Sequence, residues 1–287
     1  MKHLTPALHL IVLLGAVAGA GCGQDAGAQS QTPAAVPART PPAPVARNPH
    51  NAARPALIPD TIKAGETQTF VGIEFVRVPP GSFTMGGLKA NFRMPHPVTI
   101  THGYWMGKYE VTQAQWEAVM GSNPSHWKGD PRRPVEQVSW RDVHKFIAKL
   151  NELNSGMDFR LPTEAEWEYA CRAGSQAEYF FGDDAGMLKD YAVYYENSGY
   201  KTNPVGQKKP NAWGIYDMAG NVLEVVEDRW GLFSADPQVD PKGPATGADR
   251  VRRGGAWYYA ADFLVSEARR SVQEDYSNNA QGLRLAR

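Results

Sequence analysis

The residue types capable of chemistry gather in few places along this chain. Gly214-Ile215-Tyr216-Asp217-Met218-Ala219-Gly220-Asn221-Val222-Leu223-Glu224 sets two carboxylates around a glycine-containing turn. A tight turn exposes backbone carbonyls, and Ca²⁺ takes about six to eight oxygens from such mixed donors. Spacing alone leaves that reading beside a plainer one, a turn carrying two solvated acids. The histidines fall at His3, His9, His50, His96, His102, His126 and His144. None are paired at the i, i+4 or short-loop spacing of a zinc or iron site, so each reads as a surface or hydrogen-bonded side chain. There is no G-x-S-x-G elbow, P-loop or dinucleotide fingerprint. The Gly254-Gly255 pair reads as a turn or strand edge rather than a phosphate cradle.

Elements with clear start signals must position these groups. Thr112 followed by Gln115 is a capping-box pattern that predicts a helix carrying Trp116, Val119 and Met120 and stopping at Gly121. Ser139 caps a second helix, in which Val143, Phe146, Ile147 and Leu150 recur at helical spacing on one buried face. Thr163 with Glu166 caps a third. Phe70 to Met85 reads as strand, turn, strand around Pro79-Pro80-Gly81, and Val98 and Ile100 alternate with Thr99 and Thr101 as a strand. Beyond Gly174 the chain is rich in Gly, Pro, Asn and Asp, which predicts turns and short strands. There is no internal repeat. The fold class expected is α+β with few helices and much irregular structure.

Composition bounds the rest. Lys2 and His3 precede an apolar run from Leu8 through Ala20 that closes on small residues, the pattern of a secretory signal over 1–22. Cys22 in Gly19-Ala20-Gly21-Cys22 occupies a lipobox position without the usual large aliphatic residue before it, so lipid anchoring and simple cleavage both stay open. Residues 23–62 are rich in Ala, Pro, Gln and Gly and read as a linker, too poor in large apolar side chains to offset ordering entropy. Residues 63–287 form the expected folded domain. The formal net charge is zero and Lys and Arg are not clustered, which argues against a nucleic-acid partner. The chain holds two cysteines, Cys22 and Cys171, so the folded domain has a single one.

Several runs taken together resemble the formylglycine-generating-enzyme (sulfatase-modifying factor) family. They are Arg160-Leu161-Pro162-Thr163-Glu164-Ala165-Glu166-Trp167-Glu168-Tyr169-Ala170, Asn211 through Val222, Arg253-Gly254-Gly255-Ala256-Trp257 and the closing Gly282-Leu283-Arg284-Leu285-Ala286-Arg287. Val76-Pro79-Gly81-Ser82-Phe83-Met85-Gly86 and Glu110-Val111-Thr112 match the family's start. The resemblance implies a C-type-lectin-like fold with little regular secondary structure. It also implies one structural Ca²⁺, held by the Asp217 and Glu224 carboxylates and the Gly220 and Val222 carbonyls. A second family calcium site loses its usual Asn to Val193.

The same resemblance marks a departure. Formylglycine generators bind copper through two cysteine thiolates after the Gly-Gly turn, and soft thiolates are what Cu(I) selects. Here Gly254 to Arg269 holds no Cys, the turn Ser is Ala256, and two customary Trp positions are Leu223 and Val225. No copper is expected. Cys171, on the third helix, reads as a small core residue. Tyr258, Tyr259, Asp262, Glu267 and Arg269 occupy the segment instead. They read either as surface and packing residues or as a rebuilt catalytic site, in which a carboxylate beside aromatic rings has a raised pKa suited to proton abstraction. One cysteine-free, exported subgroup matures the chromophore of pyoverdine-type siderophores in the periplasm. It implies an oxidoreductase role on a peptide-like siderophore precursor, from the dihydro form to the catechol chromophore. The alternative is a non-catalytic ligand- or protein-binding module on the same scaffold.

Overall fold

The computed structural model describes residues 63–87 and 94–287. The signal and linker readings, including Cys22, lie outside the described residues. Among the described residues there are ten strands and four α-helices: β1 Thr67–Phe70, β2 Ile73–Val78, β3 Gly81–Met85, β4 His96–Ile100, β5 Tyr104–Gly107, α1 Gln113–Met120, α2 Trp140–Leu153, α3 Glu164–Arg172, α4 Leu188–Tyr191, β6 Leu223–Arg229, β7 Gln238–Val239, β8 Asp249–Arg253, β9 Arg269–Gln273 and β10 Gln281–Leu283. They form sheets β1-β2-β5, β3-β4-β7 and β10-β6-β8-β9. The Pro79-Pro80 turn therefore passes the chain from one sheet to another instead of closing a hairpin.

The predicted helices start where their caps place them. Thr112, Ser139 and Thr163 each accept from the backbone N–H three residues on, and Gln115, Asp142 and Glu166 bond back to the cap. These reciprocal bonds satisfy N–H groups that a helix start leaves without partners. α1 ends on Gly121 in the left-handed region, as expected. α3 ends on Ala173, one residue before Gly174. In α2 Val143, Phe146, Ile147 and Leu150 are buried, and the Trp116 and Phe146 rings stack at 4.8 Å.

The C-terminal run ties distant parts together. β10 pairs parallel with β6. Beyond it Leu285 and Arg287 accept from Gly107 and Trp105 of β5, while Ala286 exchanges bonds with Arg160. The chain's end is thus threaded between the first sheet and the start of α3.

Buried ion pairs join the motifs to one another. Glu168 of α3 accepts from Arg172 and Gly86 and pairs with Arg253, the arginine of the Gly-Gly turn. Burial pushes the Glu168 carboxyl up, but Arg253 and Arg172 outweigh it and hold it below the usual range. Glu166 pairs with Arg160 at 2.6 and 2.7 Å. Glu224 pairs with Arg284 of the closing motif at 2.7 Å and accepts from Trp167 Nε1 at 2.6 Å. The acids of the most recognisable run are therefore structural partners.

Candidate functional site

The Asp217–Glu224 turn is buried, not solvated. Asp217, Gly220 and Asn221 all have positive φ (58°, 83° and 55°), residue types that tolerate the left-handed region. A Cβ on Gly220 would lie 2.1 Å from the Val193 carbonyl oxygen, so only glycine fits. That carbonyl accepts from Asn221 N–H at 2.7 Å, which makes Val193 a backbone clamp on the turn. Asp217 and Glu224 are 2% and 1% exposed, and Glu110, also 1% exposed, joins them. Glu110 accepts from Asn221 Nδ2 and from Val222 N–H.

Three buried carboxylates thus face one guanidinium, Arg284. Burial pushes the Asp217 carboxyl up to about 6, with Glu224 adding and the Gly206 N–H and Arg284 opposing. Burial, then Asp217 and Glu224, push Glu110 well above the usual range against the pull of Arg284. Asp217 Oδ2 accepts from Gly206 N–H at 2.6 Å, while Oδ1 is buried with no partner. This excess of negative charge and the orphaned oxygen fit a cation. Among the described residues no three His, Cys, Asp or Glu side chains converge as a ready cage. A calcium ion here would therefore draw on the Gly220 and Val222 carbonyls as well as on Asp217 and Glu224.

The five residues of the 258–269 segment do not form the single pocket expected of them. Arg269 turns into a cleft of about 340 Å³ beside Asp228. There it forks onto Glu164 at 2.7 Å through two nitrogens and lies 4.1 Å from the Trp230 and Phe233 rings. Arg269 is thereby committed to Glu164. Glu267 is buried along another cleft with Arg172 and Glu178. Its carboxylate lies so close to Gly87 that a Cβ there would meet Oε2 at 1.2 Å. The physical reason is packing: the core takes up Val265 and Ala268 and leaves the charged neighbours to different clefts.

Tyr258 and Asp262 are exposed and Tyr259 is half-buried, and the two tyrosines belong to an aromatic face. Gly254 and Gly255 turn the chain after β8 with φ of 88° and 77°. Trp257 and Tyr259 then settle against a small floor of Leu223, Ala256 and Ala280. Ring centroids step from Trp127 to Trp257 (6.0 Å), Tyr258 (5.2 Å), Tyr259 (4.6 Å) and Phe263 (5.8 Å). Arg270 lies over Phe263 and Tyr259, and Arg252 over Tyr276. Tyr258, Phe263 and Tyr276 are 37%, 48% and 45% exposed. Trp127 Nε1 and Arg252 Nε are buried with no partner. Burial and the hydrogen bond with Tyr259 push the Tyr258 phenol up to about 12, so it stays protonated near neutral pH. Such a face can stack on rings and meet anionic or carbonyl oxygens with its arginines. Sequence reading missed Trp127, Phe263, Tyr276, Arg252 and Arg270, which share no local spacing. Only the density of aromatics around the Gly-Gly turn hinted at the face.

Cys171 is buried in the core, with its thiol pushed up to about 12 by burial and its sulfur 3.9 Å from the Met218 carbonyl oxygen. Burial in an apolar core leaves this thiol packed and poorly nucleophilic, in keeping with a small core residue.

Comparison with known proteins agrees with this architecture. The chaperone protein LppX of Paenibacillus barcinonensis is 32% identical over 239 residues, spanning 64% of this chain and 80% of that protein. The formylglycine-generating enzyme of Bos taurus is 28% identical, spanning 97% and 92%. The solved structure of PvdO from Pseudomonas aeruginosa superposes with a TM-score of 0.71 at 29% identity, spanning 79% of this chain and 99% of that one. The fold is that of the formylglycine-generating-enzyme-like proteins, C-type-lectin-like with low helix content. Residues 62–287 match the sulfatase-modifying factor enzyme 1-like domain, and this chain belongs to that family.

Proposed function

We propose that this chain binds a peptide-like ligand carrying an exposed aromatic ring on the Trp257–Phe263 face. The continuous run of rings with Arg270 over two of them carries this reading. The likeness to PvdO supports a siderophore precursor of the pyoverdine type as the ligand. The outcome would be oxidation of the dihydro chromophore to the catechol form in the periplasm, with dioxygen accepting the two electrons and two protons. In that role the face orients the ring toward dioxygen, which leaves as hydrogen peroxide. The leader-like sequence over 1–22 supports export, with Cys22 as a lipid anchor or a cleaved residue. A structural Ca²⁺ at Asp217, Gly220, Val222 and Glu224 would neutralise the buried carboxylates and fix the turn from which Asn221 holds Trp257.

A second reading, a protein-binding module, draws on the chaperone relative and on the exposure of the face. One experiment separates the two. The purified full chain is titrated with a dihydropyoverdine-type precursor under air while binding and fluorophore formation are followed. Saturable binding weakened about tenfold by Tyr259→Ala or Arg270→Ala, with fluorophore formed by the unsubstituted chain, is expected. Binding without turnover leaves the module. No binding of the precursor overturns the siderophore reading.

A further inference from the structure

A second site lies away from the aromatic face. α2, β6, the turn between β4 and β5, the segment leading into α3 and the loop after β7 enclose a cavity of about 520 Å³. Its size falls in the range of roughly 300–1,000 Å³ that suits small organic ligands. Ile147, Phe159 and Leu161 give it an apolar floor. The rim is polar, with His102, His144 and Lys242 among its residues.

The state of the charged groups selects the ligand. Two of the three carboxylates of the wall are held by strong donors. Glu166 takes both Arg160 nitrogens and the Thr163 N–H. Asp240 accepts from Thr101 N–H at 2.8 Å and from its hydroxyl at 2.6 Å. Glu227 stands 3.1 Å from His144 Nε2. The exposed Lys242 ammonium, by contrast, has no hydrogen-bond or ion-pair partner among the described residues. The His102 imidazole makes only a 3.3 Å bond to Thr101 and a 3.7 Å approach to Asp240. Besides Glu227, which faces His144, the groups left to meet a ligand are therefore an ammonium and an imidazole over an apolar floor.

We propose that this cavity binds a small organic carboxylate, with its apolar or aromatic body on Ile147, Phe159 and Leu161 and its carboxylate at Lys242 and His102. The assignment is independent of the aromatic-face reading. A cationic ligand is disfavoured because two of the three wall carboxylates already have strong donors.

The test uses three probes with one body: 3-phenylpropanoate, 3-phenylpropanamide and 3-phenylpropylamine. Each is titrated into the full chain by calorimetry, with the histidine ring signals followed by NMR. The carboxylate is expected to bind about fivefold tighter than the amide and the amine, the scale of a charge-assisted contact at a solvent-exposed ammonium. It should shift the His102 and His144 signals. Lys242→Ala, at an exposed position, should bring the carboxylate down to the amide's affinity, and Lys189→Ala, at an exposed lysine outside the cavity lining, should change nothing. Equal or tighter binding of the amine, no binding of the carboxylate at millimolar concentration, or indifference to Lys242→Ala would each overturn the proposal.

Discussion

The fate of each ionisable side chain here depends on what burial leaves it for company. Asp228 is the sharpest case. Burial, with Glu164 adding, pushes its carboxyl up to about 8 although Glu164 N–H donates to it at 2.7 Å. An unfolded Asp loses its proton near pH ~4. Between those two values the folded state binds the extra proton, so this group's contribution to stability falls as pH rises through that window. Asp228→Asn is neutral throughout and keeps an oxygen for Glu164 N–H. Its melting temperature should therefore gain on the unsubstituted protein as pH goes from 5 to 8, and parallel melting profiles would refute the assignment. Cysteine chemistry gives a second expectation at this scale. With one buried thiol in the family domain, the chain should form no aldehyde on a Cys-x-Pro-x-Arg peptide supplied with copper. Mass spectrometry of the peptide decides it, and any aldehyde product counts against the reading.

Among the elements, α3 has the most demanding surroundings, because all nine of its residues are buried. Three acids along it bind arginines from separate parts of the chain, so the helix docks only where Arg160, Arg253 and Arg269 arrive together. Such pairs add little net stability compared with apolar packing, yet losing one partner strands a buried charge. Glu168→Gln should cost about 3–5 kcal/mol in denaturant unfolding, since Arg253 and Arg172 keep their charge. Thr163→Ala, which removes only the cap oxygen, should cost about 1 kcal/mol. If the two variants proved equally stable, the buried pairs would not be what seats α3. The aromatic face follows the same logic, since β8 and the Gly254-Gly255 turn set Trp257 and Tyr259 on their small floor.

For the whole molecule, the buried carboxylates Glu110, Asp217 and Glu224 share the single guanidinium of Arg284. A bound Ca²⁺ would stabilise only the folded state, by about 2.7 kcal/mol at a hundredfold excess over its Kd. Stripping it with EDTA should then lower the melting temperature by about 5–10 °C for a domain of this size. Asp217→Ala should abolish the difference between the two conditions. An unchanged melting curve together with no calcium in metal analysis would show that protonation of Asp217 and Glu110 suffices. Among the described residues no helix is long and apolar enough to cross a membrane.

The sequence by itself determined whatever is written within one turn or one period. Each capping box spans four residues, the α2 stripe repeats locally, and the loss of the thiolate pair is a matter of composition. The family's motifs stood in order along the chain and were legible for the same reason, and with them came the fold. Tertiary structure alone decided which motif meets which. Glu168 and Arg253 are 85 residues apart, Glu164 and Arg269 are 105 apart, and Glu224 and Arg284 are 60 apart. No periodicity connects such positions, because the loops between them have none. It also sent Glu267 and Arg269, two residues apart in the chain, to different clefts and brought Trp127 to Trp257 across 130 residues of chain. Local hydrogen bonds are fixed by neighbours in the chain, whereas a loop-rich surface takes its residues from wherever core packing leaves the chain.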